Sequence, residues 1–364
     1  MAAEDRAILV GISRYFDSSF APLKGPPNDV ARMHEWLLSP DGGGLPADHV
    51  HTLVSPDAFA PTLDPSDWSP GEADYQRAFR RVASDPATNA FVRRKGRLYL
   101  YFSGHGFSER RDQSTRAALY AAGATRSFPG NICGTIWALA AKQSALFEEI
   151  VLIMDCCRDA ELNIPFSQPA INLGMADNAG AVRFMAVYAA PKGGKAQERE
   201  FAELNGMTCG LVTHAFLKAL KETPPDSPLG VSSNAIQRYM LSTWAALCGD
   251  TPATEPQFTA PEGAELYFPA VAQGVEVGFH LANASTRQLQ IDILDHPGNR
   301  LVGCTLSQGS LSVEYLGAAP VAQTMANDRF SVRLQPGFYR CTVTGDVTQK
   351  CLIEADGASP DVEL

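Results

Sequence analysis

Two short sequence boxes contain the residues best suited to covalent chemistry. The first, Ser103–Gly106, places a histidine between two glycines directly after an apolar run. The second, Asp155–Arg158, contains two adjacent cysteines and also follows an apolar run. A cysteine attacks as its thiolate, and a neighbouring imidazole is a common group for taking up the proton. His105 and Cys157 are therefore a candidate pair for nucleophilic catalysis.

The elements before these boxes predict how the two residues meet. The apolar runs 98–102 and 150–154 are continuous, which is typical of strands buried on both faces of a parallel sheet. Ligands and chemistry gather beyond the carboxyl ends of such strands. Apolar runs alternate with helix-spaced segments as far as about residue 268, and this alternation predicts an α/β sheet of mainly parallel strands flanked by helices.

The pattern changes from about residue 270. Segments 275–281, 288–294, 330–334 and 338–343 alternate apolar with polar residues, and no helical segment lies between them. This pattern indicates an antiparallel all-β domain that resembles a small sandwich. At 364 residues the chain is long enough for two domains, which we predict to be 1–268 and 270–364.

Composition excludes several classes of protein. Thirty basic and 40 acidic residues give a net charge of −10, which disfavours a nucleic-acid partner. No apolar stretch reaches membrane-spanning length and the amino terminus has no signal-like segment, so we expect a cytoplasmic protein without a membrane partner. The eight cysteines show no metal-ligand spacing, and we expect buried thiols, no metal site and no cofactor.

Several boxes together resemble one family. The YFSGHG and DCC boxes are similar to the His and Cys boxes of the caspase-like peptidases of clan CD, especially bacterial caspase homologues and metacaspases. The interval between the two residues also matches the spacing of about 50 residues known for caspases. Three further boxes agree in order, and the resemblance covers roughly residues 5 to 268: Ile8–Tyr15, Leu23–Asp29 and Met207–Leu220. In the chain Arg158-Asp159 replace the usual Ser-Gly after the nucleophile.

The resemblance implies a role for each residue of the two boxes. His105 would be the general base or ion-pair partner, and Cys157 would attack the peptide carbonyl. The backbone N–H groups of Gly106 and Cys157 would hold the oxyanion. Cys156 is a rival nucleophile, but adjacent side chains of an extended segment point to opposite faces, so only one of the two can meet the histidine.

Two acidic residues are candidates for substrate binding. The resemblance implies that Asp155 lines the pocket for the residue before the scissile bond, with Asp29 as a second acidic wall. Such a pocket would repel aspartate and pair with guanidinium or ammonium, which favours cleavage after Arg or Lys. The structural alternatives are a strand-end turn residue for Asp155 and a cap for a helix starting near Val30 for Asp29.

These observations lead to one main prediction and two alternatives. We expect a cysteine endopeptidase that cleaves proteins or peptides after Arg or Lys. The resemblance alone suggests a role in bacterial regulated cell death or antiphage defence, with a pore-forming or defence-system partner. The alternatives are a catalytically inactive scaffold with the same fold and a cysteine hydrolase acting on a small amide.

Overall fold

The structure is a computed structural model that describes residues 4–57, 64–109, 116–161, 164–169, 174–227, 229–262, 265–269, 275–280, 288–294, 300–307, 310–315, 329–334, 337–345, 348–355 and 361–363. The chain divides into two compact units. The first comprises Met1–Ser39, Gly43–Ala219 and Ser233–Leu266, and the second comprises Pro40–Gly42, Leu220–Ser232 and Tyr267–Leu364. The domain limits drawn from the sequence stay predictions.

Strands and helices are numbered separately in chain order. The helices are α1 (Gly25–Leu38), α2 (Glu72–Ala83), α3 (Gly134–Gln143), α4 (Leu211–Glu222) and α5 (Ser233–Cys248). The strands are β1 (Arg6–Gly11), β2 (Val50–Val54), β3 (Arg94–Gly104), β4 (Gly106–Glu109), β5 (Ala118–Tyr120), β6 (Asn131–Ile132), β7 (Phe147–Cys156), β8 (Asp159–Glu161), β9 (Arg183–Tyr188), β10 (Glu198–Phe201), β11 (Met207–Gly210), β12 (Val231–Ser232), β13 (Gln257–Glu262), β14 (Tyr267–Phe268), β15 (Val275–His280), β16 (Gln288–Leu294), β17 (Arg300–Ser307), β18 (Ser310–Tyr315), β19 (Arg329–Leu334), β20 (Gly337–Thr344), β21 (Gln349–Ala355) and β22 (Asp361–Glu363).

A six-stranded sheet forms the centre of the first unit. Its strand order is β13-β9-β7-β3-β1-β2, and all neighbours are parallel except the edge strand β13. The central strands β3 and β7 carry long unbroken runs of buried residues, because helices cover both faces of the sheet. The mainly parallel α/β sheet predicted from the sequence is therefore confirmed.

Alternate residues of each central strand face different helices. Leu100 and Leu152 belong to the core that also contains Tyr75 of α2 and Trp137 of α3. On the opposite face, the hydroxyl of Tyr101 lies 2.5 Å from Thr213 Oγ1 on α4. The alternation of side chains along a strand thus buries two separate apolar surfaces, which fixes the register of the sheet.

Two smaller sheets lie beside the carboxyl ends of the central strands. One has four short strands in the order β6-β5-β4-β8 and begins directly after His105. The other is the antiparallel hairpin β10-β11, in which Glu198 pairs with Gly210. Neither sheet was expected from the sequence in this form, and the hairpin supplies one wall of the site described below.

The second unit contains the β-sheets predicted for the C-terminal region. A three-stranded sheet has the order β19-β15-β22, and a five-stranded sheet has the order β18-β17-β16-β20-β21. Phe279 and Val332 from the first sheet share one buried core with Ile291 and Cys341 from the second. A core made by the inner faces of two sheets is the arrangement of a sandwich. Strands β17, β18, β21 and β22 were not predicted.

Helix α1 corrects one prediction. It begins at Gly25, not near Val30, with prolines in its first turn and no side-chain hydrogen bond from Lys24 at the N-cap position. Proline is tolerated there because the first N–H groups of a helix have no partner within it. Asp29 therefore lies inside the helix and does not cap it.

Candidate active site

The two boxes meet at one edge of the central sheet. Strands β3 and β7 are parallel neighbours, with Ser103 opposite Asp155 and Gly104 opposite Cys156. His105 directly follows β3, and Cys157 directly follows β7. Both are partly exposed, and both line a single cavity of about 130 Å³. The structure thus brings the two predicted catalytic residues to one cleft.

The imidazole of His105 is held in a defined orientation. Its Nε2 lies 2.8 Å from the carbonyl oxygen of Ala21. A carbonyl oxygen can only accept, so the neutral ring carries its proton on Nε2 and leaves Nδ1 as the acceptor. In addition, the backbone N–H of His105 donates to the hydroxyl of Tyr15 at 2.7 Å. The histidine therefore has a free basic nitrogen with which to take up a proton from a thiol.

Cys157 is the accessible member of the cysteine pair. Its Sγ lies 3.8 Å from the carbonyl oxygen of Ala196, a weak thiol hydrogen bond. Burial raises the pKa of the Cys157 thiol, and the positive charge of Lys195 acts in the opposite direction. The thiol is thus protonated at neutral pH in this arrangement and needs a base for activation. Cys156, by contrast, is fully buried, so the side chains of the two cysteines differ in exposure as the strand geometry predicts.

Gly106 directly follows His105 and is the first residue of β4. A side chain at this position would come within 2.6 Å of Cys156 Sγ and 2.7 Å of the Ala118 carbonyl oxygen. Only glycine lets the chain after His105 approach β7 this closely. The oxyanion role of the Gly106 and Cys157 N–H groups stays a prediction.

Both predicted acidic residues lie in the same cavity. Asp155 accepts two hydrogen bonds from Thr213, from the backbone N–H at 2.9 Å and from Oγ1 at 2.6 Å. Asp29 accepts hydrogen bonds from the Ser103 hydroxyl at 3.0 Å and from the Gly210 N–H at 3.0 Å. Gly210 also lies so close to Asp155 that a Cβ atom added to it would be 2.2 Å from Asp155 Oδ2. Two carboxyl groups therefore converge on one glycine.

Mutual proximity and burial change how these carboxyls titrate. Burial and the neighbouring Asp155 raise the pKa of Asp29 well above its usual value of 3.8. Burial raises the pKa of Asp155 to about 6, although the two hydrogen bonds from Thr213 act in the opposite direction. A pair of buried carboxyls holds a proton to a higher pH than separate ones do.

Glu198 is a third carboxylate of the cavity, and sequence reasoning missed it. Its Oε2 accepts a hydrogen bond from the N–H of Gly25 at 2.7 Å, and its Oε1 accepts one from the N–H of Lys24 at 3.1 Å. These contacts satisfy N–H groups at the start of α1 and place a negative charge at its positive end. No motif marks Glu198, which reaches α1 only through the hairpin β10-β11.

The Arg158 that replaces the family's usual serine has a structural role in this chain. Its side chain is 1% exposed, and Nη1 donates to Gln257 Oε1 at 2.6 Å and to the Ala190 carbonyl at 3.3 Å. The guanidinium carbon also lies 4.6 Å from the centroid of the Tyr188 ring, a cation–π contact. Through these contacts Arg158, the residue directly after Cys157, is held against β9 and β13.

In the part of the chain that the structure describes, no group of three or more His, Cys, Asp or Glu side chains is placed to hold a metal ion. Nor does any helix within the described ranges have the length and apolar character needed to cross a membrane.

Two solved caspase structures are similar to this chain. The crystal structure of caspase-1 from Spodoptera frugiperda is 12% identical, with a TM-score of 0.46, over 74% of this chain and 92% of that chain. The structure of pro-sf-caspase-1 is also 12% identical, with a TM-score of 0.41, over 73% of this chain and 94% of that chain.

Sequence comparisons identify the family. A probable protease of a Desulfuromonadales bacterium is 30% identical over 165 residues, which is 44% of this chain and 18% of the relative's length. The chain thus matches less than a fifth of that relative. The family model of the caspase domain, Peptidase C14, matches residues 4–246, which contain all the boxes discussed above. The chain therefore belongs to the Peptidase C14 caspase-domain family.

Proposed function

We propose that this protein is a cysteine endopeptidase in which Cys157 is the nucleophile and His105 is the general base. The single observation that supports this most strongly is that both side chains line one cavity together with Asp29 and Asp155. Membership of the caspase-domain family supports the same reaction. The raised pKa of Cys157 explains why a base is needed at all.

The proposed reaction has two steps, acylation of Cys157 and hydrolysis of the thioester, and His105 carries a proton in each. His105 Nδ1 takes the thiol proton, and the Cys157 thiolate attacks the carbonyl carbon of the peptide bond. The resulting oxyanion is held by the N–H groups of Gly106 and Cys157, each typically worth about 3 kcal/mol. Collapse breaks the C–N bond, and the leaving amine takes the proton from the imidazolium. Water, deprotonated by His105, then hydrolyses the thioester and releases the acid and the free thiol.

We also propose that the residue before the cut is Arg or Lys. Asp29 and Asp155 are buried and converge on Gly210, and Glu198 adds a third carboxyl group to the same cavity. A guanidinium or ammonium group would pair with these carboxylates, whereas a substrate aspartate would be repelled. Ser103 and Thr213 hold the two aspartates in place through hydrogen bonds.

The test is substrate-library profiling of the purified chain, with Cys157→Ala as the negative control. We expect cleavage after Arg and Lys, none after Asp, and none by the variant. Cleavage retained by the variant would overturn the assignment of the nucleophile. Labelling by an electrophilic peptide ketone that depends on Cys157 would separate an enzyme from a catalytically inactive scaffold. Equal cleavage rates for all residues before the cut would favour a small-amide hydrolase.

The biological setting is proposed from the family resemblance alone. We propose that the protein acts in the cytoplasm in bacterial regulated cell death or antiphage defence, where it cleaves a protein partner such as a pore-forming one. The test is phage challenge of cells that carry the gene with its neighbours, in wild-type form and with Cys157→Ala. Equal survival of the two strains would refute the proposal.

A further inference from the structure

The hydroxyl of Tyr15 is a buried bridge between two strand ends. It accepts a hydrogen bond from the backbone N–H of His105 at 2.7 Å and donates one to the carbonyl oxygen of Ile12 at 3.1 Å. Tyr15 is only 8% exposed, so water does not readily replace these contacts. A buried donor or acceptor left without a partner is destabilising, and this hydroxyl satisfies the His105 N–H and the Ile12 carbonyl at once.

The ring of Tyr15 also contacts the imidazole. The two ring centroids are 5.2 Å apart, and Phe20 lies 5.9 Å from the imidazole and 5.0 Å from Tyr15. Tyr120 completes the group, since its ring is 4.8 Å from Phe20 and its N–H donates to the carbonyl of His105. Packed aromatic rings restrict the rotamers of the side chain between them.

The backbone before His105 leaves room for this hydroxyl and for nothing larger. Gly104 has a φ of +151°, a conformation that residues with side chains rarely adopt. A side chain at Gly104 would come within 2.8 Å of both the Tyr15 hydroxyl and the Ile12 carbonyl. The turn that delivers His105 to the cleft is therefore built around the Tyr15 hydroxyl.

We propose that Tyr15 is a positioning residue that fixes the backbone and ring of His105 so that Nδ1 faces the nucleophile. The proposal rests on the proposed function, because it needs His105 to act as the base. Tyr15 itself touches neither Cys157 nor the acidic pocket in the contacts described for it. Its removal should affect the proton transfer and leave substrate binding unchanged.

The first test is Tyr15→Phe, which removes the hydroxyl and keeps the ring. We expect kcat for an Arg peptide to fall roughly 10- to 100-fold, the scale known for small misplacements of reacting groups. KM and the preference for Arg over neutral residues should stay unchanged, because Asp29 and Asp155 are untouched. An unchanged kcat, or a rise in KM at constant kcat, would overturn the proposal.

Tyr99→Phe is the matched control. Tyr99 is also a buried tyrosine of the central sheet, and its hydroxyl accepts a hydrogen bond from Arg97 Nη1 at 3.1 Å. This variant should lower thermal stability without changing kcat. An equal loss of kcat in both variants would show that Tyr15 acts only through general stability, and would overturn the proposal.

The second test does not depend on peptide cleavage. Nitrogen NMR of histidine-labelled protein reports which ring nitrogen of His105 carries the proton. We expect the Nε2–H form in wild type and in Tyr99→Phe, and a mixture of both forms in Tyr15→Phe. Identical His105 signals in all three proteins would refute the positioning role, even if no peptide substrate is found and the proposed function itself fails.

A third variant covers the case in which Tyr15→Phe does not fold. Phe20→Leu keeps the hydroxyl but removes the ring that contacts both Tyr15 and the imidazole. We expect a smaller loss of kcat with the same unchanged KM and the same mixed signal of His105. A wild-type signal together with a wild-type kcat would refute the proposal.

Discussion

The acidic pocket allows a quantitative test through Asp155→Asn. Asp155 Oδ2 accepts both hydrogen bonds from Thr213, from its N–H and its hydroxyl. The amide oxygen of an asparagine must take that place, because only it can accept. Its NH₂ group then points away from Thr213, where it would meet a substrate guanidinium donor to donor. The variant should thus keep the fold and lose the attraction for a cationic side chain.

The size of the effect follows from the remaining charge. Removing one partner of a buried, hydrogen-bonded charge pair costs about 2–5 kcal/mol, and Asp29 retains part of the attraction. We therefore expect a loss at the lower end, about 2–3 kcal/mol, or roughly 30- to 150-fold in kcat/KM for an Arg peptide. A peptide with Gln at the same position should be cleaved at an unchanged rate.

The assay compares kcat/KM for matched Arg and Gln peptides in wild type and variant. Glu200→Gln is the control. It removes one negative charge from an exposed position of the hairpin β10-β11, which lines the cavity through Glu198 and Gly210. It should leave the ratio of the two rates unchanged, since exposed charges are screened by water. The same loss on both peptides, or no loss on the Arg peptide, would refute the reasoning.

Four further predictions concern the same region. Cys156→Ala should keep nearly full peptidase activity because Cys156 is buried beneath Gly106, and loss of activity would reopen the choice of nucleophile. Gly210→Ala should abolish cleavage after Arg, because its methyl group would lie 2.2 Å from Asp155 Oδ2; wild-type kinetics would contradict this geometry. The pKa of Asp155 is raised to about 6, so its contribution to stability is present below pH 3.8 and is lost as the pH rises through 6. Chemical denaturation should show wild type losing about 2 kcal/mol relative to Asp155→Asn between pH 4 and 7, and parallel curves would disprove it. Finally, residues 159–182 contain no Lys or Arg, so mass spectrometry should find no self-cleavage there, and a cut in this segment would argue against the basic preference.

The sequence was most informative where the chain is continuously apolar. The runs in β3 and β7 predicted strands that end at one edge of a parallel sheet, and the structure sets Ser103 opposite Asp155 at that edge. The apolar residues of segment 72–83 recur at helical spacing, and helix α2 has these same limits, Glu72–Ala83. Local patterns of this kind need no knowledge of distant contacts.

The missed features depend on contacts between residues far apart in the chain. The start of α1 is stabilised by Glu198, more than 170 positions later, so no local capping signal exists near Lys24. The strands of the hairpin β10-β11 are short and partly polar, and they gave no clear periodic signal. The orientation of His105 depends on a carbonyl oxygen of Ala21, which any residue type could supply. Such contacts leave no trace in residue identity.

Glu198 links the choice of substrate to the architecture of the domain. The carboxylate that lines the cleft also accepts hydrogen bonds from the first N–H groups of α1, the helix that carries Asp29. A descendant that exchanged this glutamate for an apolar or basic residue to accept another substrate would leave those N–H groups without this acceptor at the same step. A change of cleavage preference at this position therefore needs a second substitution that supplies another acceptor at the start of α1. This requirement makes the acidic character of the cleft hard to lose.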